Sequence, residues 1–323
     1  MASDPTTRSQ VAVEVDAFYD KNLLFRATPL LVHTKFAQVR DIPSKSGTNV
    51  IRFRRYGNLS AATTPLSEGV TPSGSQLSTT DLTATVAQYG DYVTVSDLLE
   101  VTSEDPILME AGEILGDQAG DTLDQLTRDI LNAGSVLARA GSRSSRDTIA
   151  AGDVVTSTLV DAGVLALKTA KARKVTSIVE ASTGYNTTPI NASYIAINHT
   201  DLSARIKGFT GFVPVEKYPS QRTVMDGEYG YYNDTRFIET TNGKIFTGAG
   251  ASSIDVYSVL LMGQHAYGTT RISGEALKNI IKPLGSGGTS DPLDQRSTSG
   301  WKATFVAKIL NDAFLYRIEC AKV

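Results

Sequence analysis

The longest amphipathic pattern in the chain runs from Asp105 to about Arg139 and predicts a single long helix over 106–139. Asp105 is a suitable N-cap, and Pro106 fits the first helical position because its missing N–H would be unbonded there anyway. At about 1.5 Å per residue this helix would be about 50 Å long, far beyond an average helix of about 11 or 12 residues. With a spacing of about 100° per residue, one face collects apolar side chains: Leu108, Ala111, Leu115, Ala119, Leu123, Leu126, Ile130, Ala133, Val136 and Leu137.

Two further patterns mark this helix. Five acids fall in a narrow arc opposite the apolar face, at Glu110, Glu113, Asp117, Asp121 and Asp124. Such an arc is ordinarily interpreted as a solvated or partner-facing stripe, and the alternative is a divalent-metal site. Glycines recur every fourth residue along one flank, at Gly112, Gly116 and Gly120. Each glycine lowers helix stability by about 1 kcal/mol relative to alanine. The three glycines therefore reflect either random sequence drift or the close approach of another backbone. Acids at this density exclude a membrane helix pair.

Residues 47–96 alternate in a way that predicts a long β-ribbon. Ile51 and Phe53 point to one side and Arg52 and Arg54 to the other. Residues 57–81, rich in Ser, Thr, Gly and Pro, separate this run from a second extended run, LTATVAQYGDYVTVSD. An isolated two-stranded ribbon is marginal in water, so it needs a surface on its own body or on the next subunit. Arg52, Arg54 and Arg55 near its root are candidate contacts.

The remaining patterns predict shorter elements. Residues 11–25 form an apolar helical segment that must dock on its own body or on a neighbour. A second helix is predicted at 156–173, buried strands at SYIAINH and VYSVLLMG, and a polar loop at 285–300. The C-terminal run WKATFVAKIL-ND-AFLYRIECAK predicts a hairpin that turns at Asn311-Asp312.

The composition and the motifs of the sequence do not indicate a catalytic function. The 323 residues carry a net charge of −3, and 7% are aromatic, so bulk charge does not favour coating of nucleic acid. His33, His199 and His265 are scattered without metal-ligand spacing, and GAGASS is too weak for a dinucleotide loop. Cys320 is the only cysteine, which excludes an intrachain disulfide and fits a reducing compartment. No catalytic, cofactor or metal site, signal peptide or membrane span is predicted.

Seven stretches in this order resemble one family, over roughly residues 15–323: TNVIRFRRYGNL, PLSEGVTP, VAQYGDYVTVSDLLE, the long helix with TLDQLTRDIL, SYIAINHTDL, DGEYGYYNDTRFIET and DPLDQRSTSGWKATFVAKIL. They resemble the major capsid proteins of tailed double-stranded-DNA bacteriophages, in the podovirus-like branch of the tailed-phage/herpesvirus capsid fold. The resemblance implies an α+β fold and a structural protein with contact surfaces instead of catalytic residues.

The resemblance also implies a division of the chain. Residues 1–46 would be an N-terminal arm, 47–96 the extended loop and its root, and 97–150 the peripheral domain with its spine helix. Residues 151–285 would be the axial domain, and 286–323 a loop and a hairpin that returns to the peripheral domain.

The function implied is self-assembly, as hexamers and pentamers, into an icosahedral head around double-stranded DNA. Implied partners are other copies, a separate scaffolding protein, a portal protein and optionally a decoration protein, with DNA met only by non-specific proximity and no membrane. The protein would reside in the virion after assembly in the host cytoplasm. The alternatives are an encapsulin-like bacterial nanocompartment shell and a soluble α/β enzyme with a diffuse site.

For the contacts themselves, two hypotheses stay open. The ribbon arginines of one subunit pair with spine acids of the next, with the glycine flank permitting close approach. Alternatively, the acidic arc faces the packaged genome and keeps DNA off the inner wall.

Overall fold

A computed structural model describes residues 32–45, 47–57, 59–66, 68–103, 107–179, 187–273, 277–287 and 291–322. The segment 11–25, predicted to be helical, lies outside these ranges, as do Asp105 and Pro106. The described residues form an α+β fold of fifteen strands and four α-helices, which confirms the fold class. The strands are β1 (Gln38–Ile42), β2 (Val50–Tyr56), β3 (Thr79–Thr85), β4 (Ala87–Ser96), β5 (Leu137–Arg139), β6 (Tyr194–His199), β7 (Val213–Pro214), β8 (Glu228–Tyr232), β9 (Thr235–Thr240), β10 (Ile245–Phe246), β11 (Val256–Met262), β12 (Tyr267–Ile272), β13 (Leu277–Lys282), β14 (Arg296–Ile309) and β15 (Leu315–Ala321). The helices are α1 (Asp97–Thr102), α2 (Ile107–Leu131), α3 (Ser157–Thr169) and α4 (Ser203–Lys207).

The long helix, α2, is shorter than predicted at its C-terminal end. It has 25 residues, or about 37 Å, and the prediction that it continues to Arg139 is wrong. The chain turns at Gly134, where a Cβ would lie 3.0 Å from Asp312 Oδ1. Beyond the turn, the Ser135 backbone N–H donates to the Asp312 carboxylate at 3.0 Å. This turn is therefore held against the chain that enters β15, and the predicted last helical turns become β5.

A five-stranded sheet supports α2. Ten residues of β14 pair with β4 on one side, six of the same residues pair with β13 on the other, and the last four pair with β12, which carries β1 in parallel. The apolar face of α2 lies on this sheet through Leu115 and Ala119, which pack against Trp301 and Ala303. Trp301 Nε1 also donates to Gln118 Oε1 at 3.1 Å. The counterpart of the apolar pattern of α2 is therefore the pair Trp301 and Ala303 on β14.

An eight-stranded sheet holds most of the core, in the order β5-β15-β11-β6-β9-β8-β7, with β10 beside β11. On one face α3 inserts Val160, Val164 and Leu167 into the largest apolar cluster. On the other face, Leu131 at the end of α2 and Val32 join a second cluster. The predicted second helix and the strands SYIAINH and VYSVLLMG are confirmed as α3, β6 and β11.

Two predicted pairings are wrong. The last two strands are not a hairpin, because β14 lies in the five-stranded sheet and β15 in the eight-stranded sheet, paired with β11 and β5. The β-ribbon contains only β2 and β3, over seven residue pairs, or about 24 Å. The rest of the second extended run is β4, whose backbone groups pair with β14 instead. Strand pairing between distant segments satisfies these backbone groups, and alternation along the sequence does not specify which segment is the partner.

A buried ion cluster joins β5 to β15. The carboxylate of Glu319, with no exposed surface, is contacted by Arg139 Nε at 3.1 Å and Arg317 Nε at 3.2 Å, and by the guanidinium of Arg146. Burial alone would raise the pKa of Glu319, but the hydrogen bond from Arg146 and the charges of all three arginines hold this pKa below its ordinary value.

Candidate subunit interface

The inner face of the β2–β3 ribbon contacts the body from Phe53 to Arg55. Phe53 and Ala84 on its inner face are 8% and 6% exposed, and a Cβ on Gly268 of β12 would lie 3.3 Å from the Phe53 ring. Arg55, on the same face, donates from Nη1 to Asn311 Oδ1 at 2.8 Å. The outer part of the ribbon and its 57–78 connection are exposed wherever the structure describes them.

Two of the three candidate arginines already have a carboxylate within the ribbon. Arg54 lies directly opposite Asp81, and its Nε donates to Asp81 Oδ1 at 3.0 Å. Arg52 Nη1 lies 3.6 Å from Asp81 Oδ2. The hydrogen bond from Arg54 lowers the pKa of Asp81 and in turn raises the pKa of Arg54. Because the arginine side chains remain 63% and 52% exposed, they are still available to a further partner.

The five acids of α2 do not share one environment. Glu110 and Asp117 are exposed, Asp121 is half-buried, and Asp124 has no exposed surface, while the side chain of Glu113 lies outside the described part of the structure. The interpretation of these acids as a solvated or partner-facing stripe is therefore wrong for Asp124.

Asp124 is a structural residue at the centre of the fold. Its Oδ1 accepts from the backbone N–H of His33 at 2.7 Å, and its Oδ2 lies 2.8 Å from His33 Nδ1. Tyr267 donates from its hydroxyl to the carbonyl of His33. Asp121, one turn earlier, accepts from Gln125 at 2.7 Å and from the side-chain amide of Asn242. The C-terminal half of α2 is thus enclosed by distant segments of its own chain, which its own periodicity does not reveal.

The described chain does not itself explain the glycines of α2. A Cβ at Gly112 would make ordinary contacts, 3.6 Å from Ser299 Oγ and 3.9 Å from Asn279 Nδ2, and a Cβ at Gly116 would meet nothing within 4 Å. Gly120 is half-buried. Close approach of a backbone at this flank stays a prediction, because no described segment of the chain makes it at Gly112 or Gly116.

Exposed apolar residues, which the sequence pattern does not predict, lie beside the glycine flank. Strand β13 pairs with β14 on one side only. Leu277 and Ile281, at 51% and 52% exposure, share the face of β13 from which Asn279 contacts the Gly112 side of α2. We refer to Gly112, Gly116, Leu277 and Ile281 as the α2–β13 groove. The available signal was the apolar content of the run LKNII, with leucine or isoleucine at three of five positions and without period-two alternation.

The connection at the ribbon tip carries a second exposed apolar set. Leu59, Leu66, Val70 and Leu77 are each more than half exposed. Scattered surface leucines are ordinary, but four in one projecting connection are well suited to pack against a partner surface.

The scattered reactive groups form no catalytic arrangement in the described ranges. His33 is engaged by Asp124, and His199 Nδ1 accepts from the Asp201 backbone N–H at 3.1 Å. Within these ranges no three His, Cys, Asp or Glu side chains are placed to hold a metal ion. The Cys320 thiol is buried in the main core, and burial raises its pKa to about 12. Nor does any described helix combine the length and apolarity needed to cross a membrane.

A helix lying across one sheet, a second sheet with its own core and a ribbon beside them make up a fold that is also found in solved phage capsid chains. The structure is similar to the capsid of Ralstonia phage GP4, with a TM-score of 0.64 and 13% identity over 88% of this chain and 87% of that one. It is also similar to the capsid of cyanophage Pam1, with a TM-score of 0.63 and 15% identity over 91% and 94% of the two chains. A third match, at a TM-score of 0.54 and 10% identity over 88% of both chains, is the capsid of a native gene transfer agent (GTA) particle. No protein-family model and no curated protein sequence matches the chain.

Proposed function

We propose that this chain is a major capsid protein that self-assembles, as hexamers and pentamers, into an icosahedral phage head enclosing double-stranded DNA. The observation that carries the proposal is the extent of the fold similarity, which covers 91% of this chain and 94% of the cyanophage Pam1 capsid chain. The projecting ribbon and the α2–β13 groove supply the exposed surfaces that an assembling subunit requires. In this role the protein is a virion component and catalyses no reaction.

Within this proposal the parts of the chain take distinct roles. Residues 1–46 form the N-terminal arm, and β2, β3 and their connection form the extended loop. Helix α2 and the five-stranded sheet form the peripheral domain, to which β14 returns. The eight-stranded sheet with α3 forms the axial domain, in which copies meet around five-fold and six-fold axes. The boundaries expected from the sequence shift accordingly: β12 and β13 leave the 151–285 range for the five-stranded sheet, and β15 leaves the 286–323 range for the eight-stranded sheet.

Other components complete the proposed assembly. A separate scaffolding protein directs shell formation in the host cytoplasm, a portal protein occupies one vertex, and a decoration protein is an optional addition. DNA is met only by non-specific proximity, and the net charge of −3 does not favour its adsorption to the protein.

Particle size tests the function directly. The purified protein, expressed with and without the phage's scaffolding protein, is analysed by size-exclusion chromatography with light scattering and by negative-stain microscopy. We expect closed megadalton shells or hexamers and pentamers. A monomer or small oligomer under all conditions would contradict the proposal, and small shells that enclose an enzyme instead of DNA would favour the nanocompartment alternative.

The proposed contact places the ribbon of one subunit on the α2–β13 groove of the next. The exposed leucines of the ribbon tip cover Leu277 and Ile281, and the ribbon arginines reach the exposed acids Glu110 and Asp117. Glu113 and Asp121 lie on the same helix and extend the acidic surface. Apolar burial provides most of the association energy, and the charge pairs fix the register of the two subunits.

Charge reversal separates this contact from the alternative in which the acids face the genome. Arg54→Glu should leave the subunit folded but prevent shell formation, and Asp117→Arg in the same chain should restore it. Asp81→Asn is the matched control, because it breaks the same pair within the ribbon while leaving Arg54 free for a neighbour. Shells from Arg54→Glu with normal salt resistance would exclude the contact. Normal empty shells from Asp117→Arg that retain DNA abnormally would favour the genome-facing alternative.

A further inference from the structure

A groove of about 610 Å³ lies between the root of the ribbon and the body of the subunit. Its volume falls within the range of binding pockets, about 300–1,000 Å³. Phe53 of the ribbon, Leu310 at the end of β14 and Phe314 before β15 contribute apolar surface. The α2–β13 groove and the exposed apolar residues of the ribbon tip are not part of its lining, whereas the ribbon arginines border it.

The groove is strongly basic. Arg40 and Arg55 line it, Arg52 and Arg54 border it from the opposite face of the ribbon, and its described lining includes no carboxylate. Asp81, which pairs with Arg54 across the ribbon, is the acid nearest to this set, so four positive charges and one negative leave a net charge of about +3. An apolar floor with an arginine rim fits an occupant that carries both apolar side chains and carboxylates.

One segment of the same chain has this composition. Residues 11–20, VAVEVDAFYD, contain Glu14, Asp16 and Asp20 without a basic residue, interleaved with valines and two aromatics. The sequence indicates that this segment must dock on a surface, because it is too apolar and too short to be stable alone.

The chain is long enough to bring this segment to the groove. It enters the described fold at Val32, and His33 is fixed by Asp124. Arg40 on the groove rim is eight residues further along, so Val32 lies at most about 28 Å from it. The twelve-residue span from Asp20 to Val32 can extend to about 40 Å. The segment therefore reaches the groove of its own subunit without strain.

We propose that residues 11–20 of the same chain occupy this groove, with their apolar side chains against Phe53, Leu310 and Phe314 and their carboxylates against the arginine rim. The ribbon root is then held between the body and the N-terminal segment. The inference concerns the single subunit, so it stands or falls independently of shell formation.

Cysteine crosslinking of the full-length, unassembled subunit tests the proposal. Val15→Cys is combined with Ala170→Cys, which lines the groove, and treated with a short bismaleimide. The matched control combines Val15→Cys with Thr247→Cys, an exposed position outside the groove. Native Cys320 can stay in place because it is buried and its pKa of about 12 keeps the thiol protonated. We expect an intrachain crosslink in the first variant and little in the control.

Charge reversal tests the chemistry of the site. Replacing Glu14, Asp16 and Asp20 together by lysine should lower the docking equilibrium constant about eightfold and reduce the crosslinking yield, since each partly exposed pair changes a binding constant about twofold. Arg40→Glu in that background should recover part of the yield. Urea midpoints matched to the parent exclude unfolding as the cause.

Three results would overturn the proposal. They are a yield no higher than that of the Thr247 control, a crosslink found only between two chains, and a yield insensitive to the triple reversal in a folded subunit. The second would place the segment in a neighbouring subunit's groove.

Discussion

Asp124 provides the sharpest test of how the sequence is converted into this fold. Asp124→Ala removes the acceptor for the backbone N–H of His33 and the partner of His33 Nδ1, at 2.7 and 2.8 Å, from a site with at most 1% exposure. A buried donor left without a partner costs about 1–3 kcal/mol, and breaking a buried pair costs about 3–5 kcal/mol when charge is left behind. We therefore expect the free energy of unfolding to fall by about 2–5 kcal/mol. The better helix propensity of alanine offsets only about 0.7 kcal/mol of this.

The measurement is urea unfolding of the unassembled subunit, followed by the fluorescence of Trp301. This is the only tryptophan of the chain, it is 6% exposed, and it contacts α2, so it reports directly on the docking of that helix. Asp117→Ala on the exposed side of the same helix is the control and should change stability by less than about 0.5 kcal/mol. If Asp124→Ala is as stable as this control, the buried contact does not hold the chain around His33 to α2. Our explanation of why Asp124 is buried despite the spacing of a surface acid then fails.

Three further predictions follow from buried or exposed groups. Because its pKa is raised to about 12 from an ordinary 9.0, Cys320 should react with iodoacetamide at pH 8 about a thousandfold more slowly in the folded subunit than after unfolding; equal rates by mass spectrometry would show that the thiol is accessible. Glu319→Gln should lower the free energy of unfolding by about 3–5 kcal/mol at pH 7. Since the folded pKa of Glu319 lies below its ordinary 4.5, the stability that the carboxylate provides is complete above that pH and is lost as the pH falls through the folded pKa, so parent and Gln variant should converge in acid-unfolding curves. Amide hydrogens of residues 57–78 should exchange rapidly in free subunits and slowly in shells, because their composition cannot offset the entropy of ordering alone; strong protection before assembly would contradict this.

The sequence alone determined the local elements and the fold class. Apolar spacing of 3.6 residues placed α2 and α3, because the side chains on one helical face must meet a common core. Period-two alternation placed β2 and the last two strands, and short apolar runs placed β6 and β11. These predictions rest on interactions within about ten residues, which a sequence pattern records directly. The resemblance in the order of segments supplied the capsid fold, which the structural matches bear out.

The tertiary structure decided which elements pair and which polar residues are buried. β4 leaves the ribbon for β14, and β14 and β15 separate into two sheets, because hydrogen bonds between strands depend on a partner that local alternation does not identify. Asp124 has the spacing of a surface acid, yet it is buried, because His33, 91 residues away, brings a backbone donor to it. A helical pattern fixes the angle of a side chain around its own axis. What covers that angle is decided only when the rest of the chain has packed.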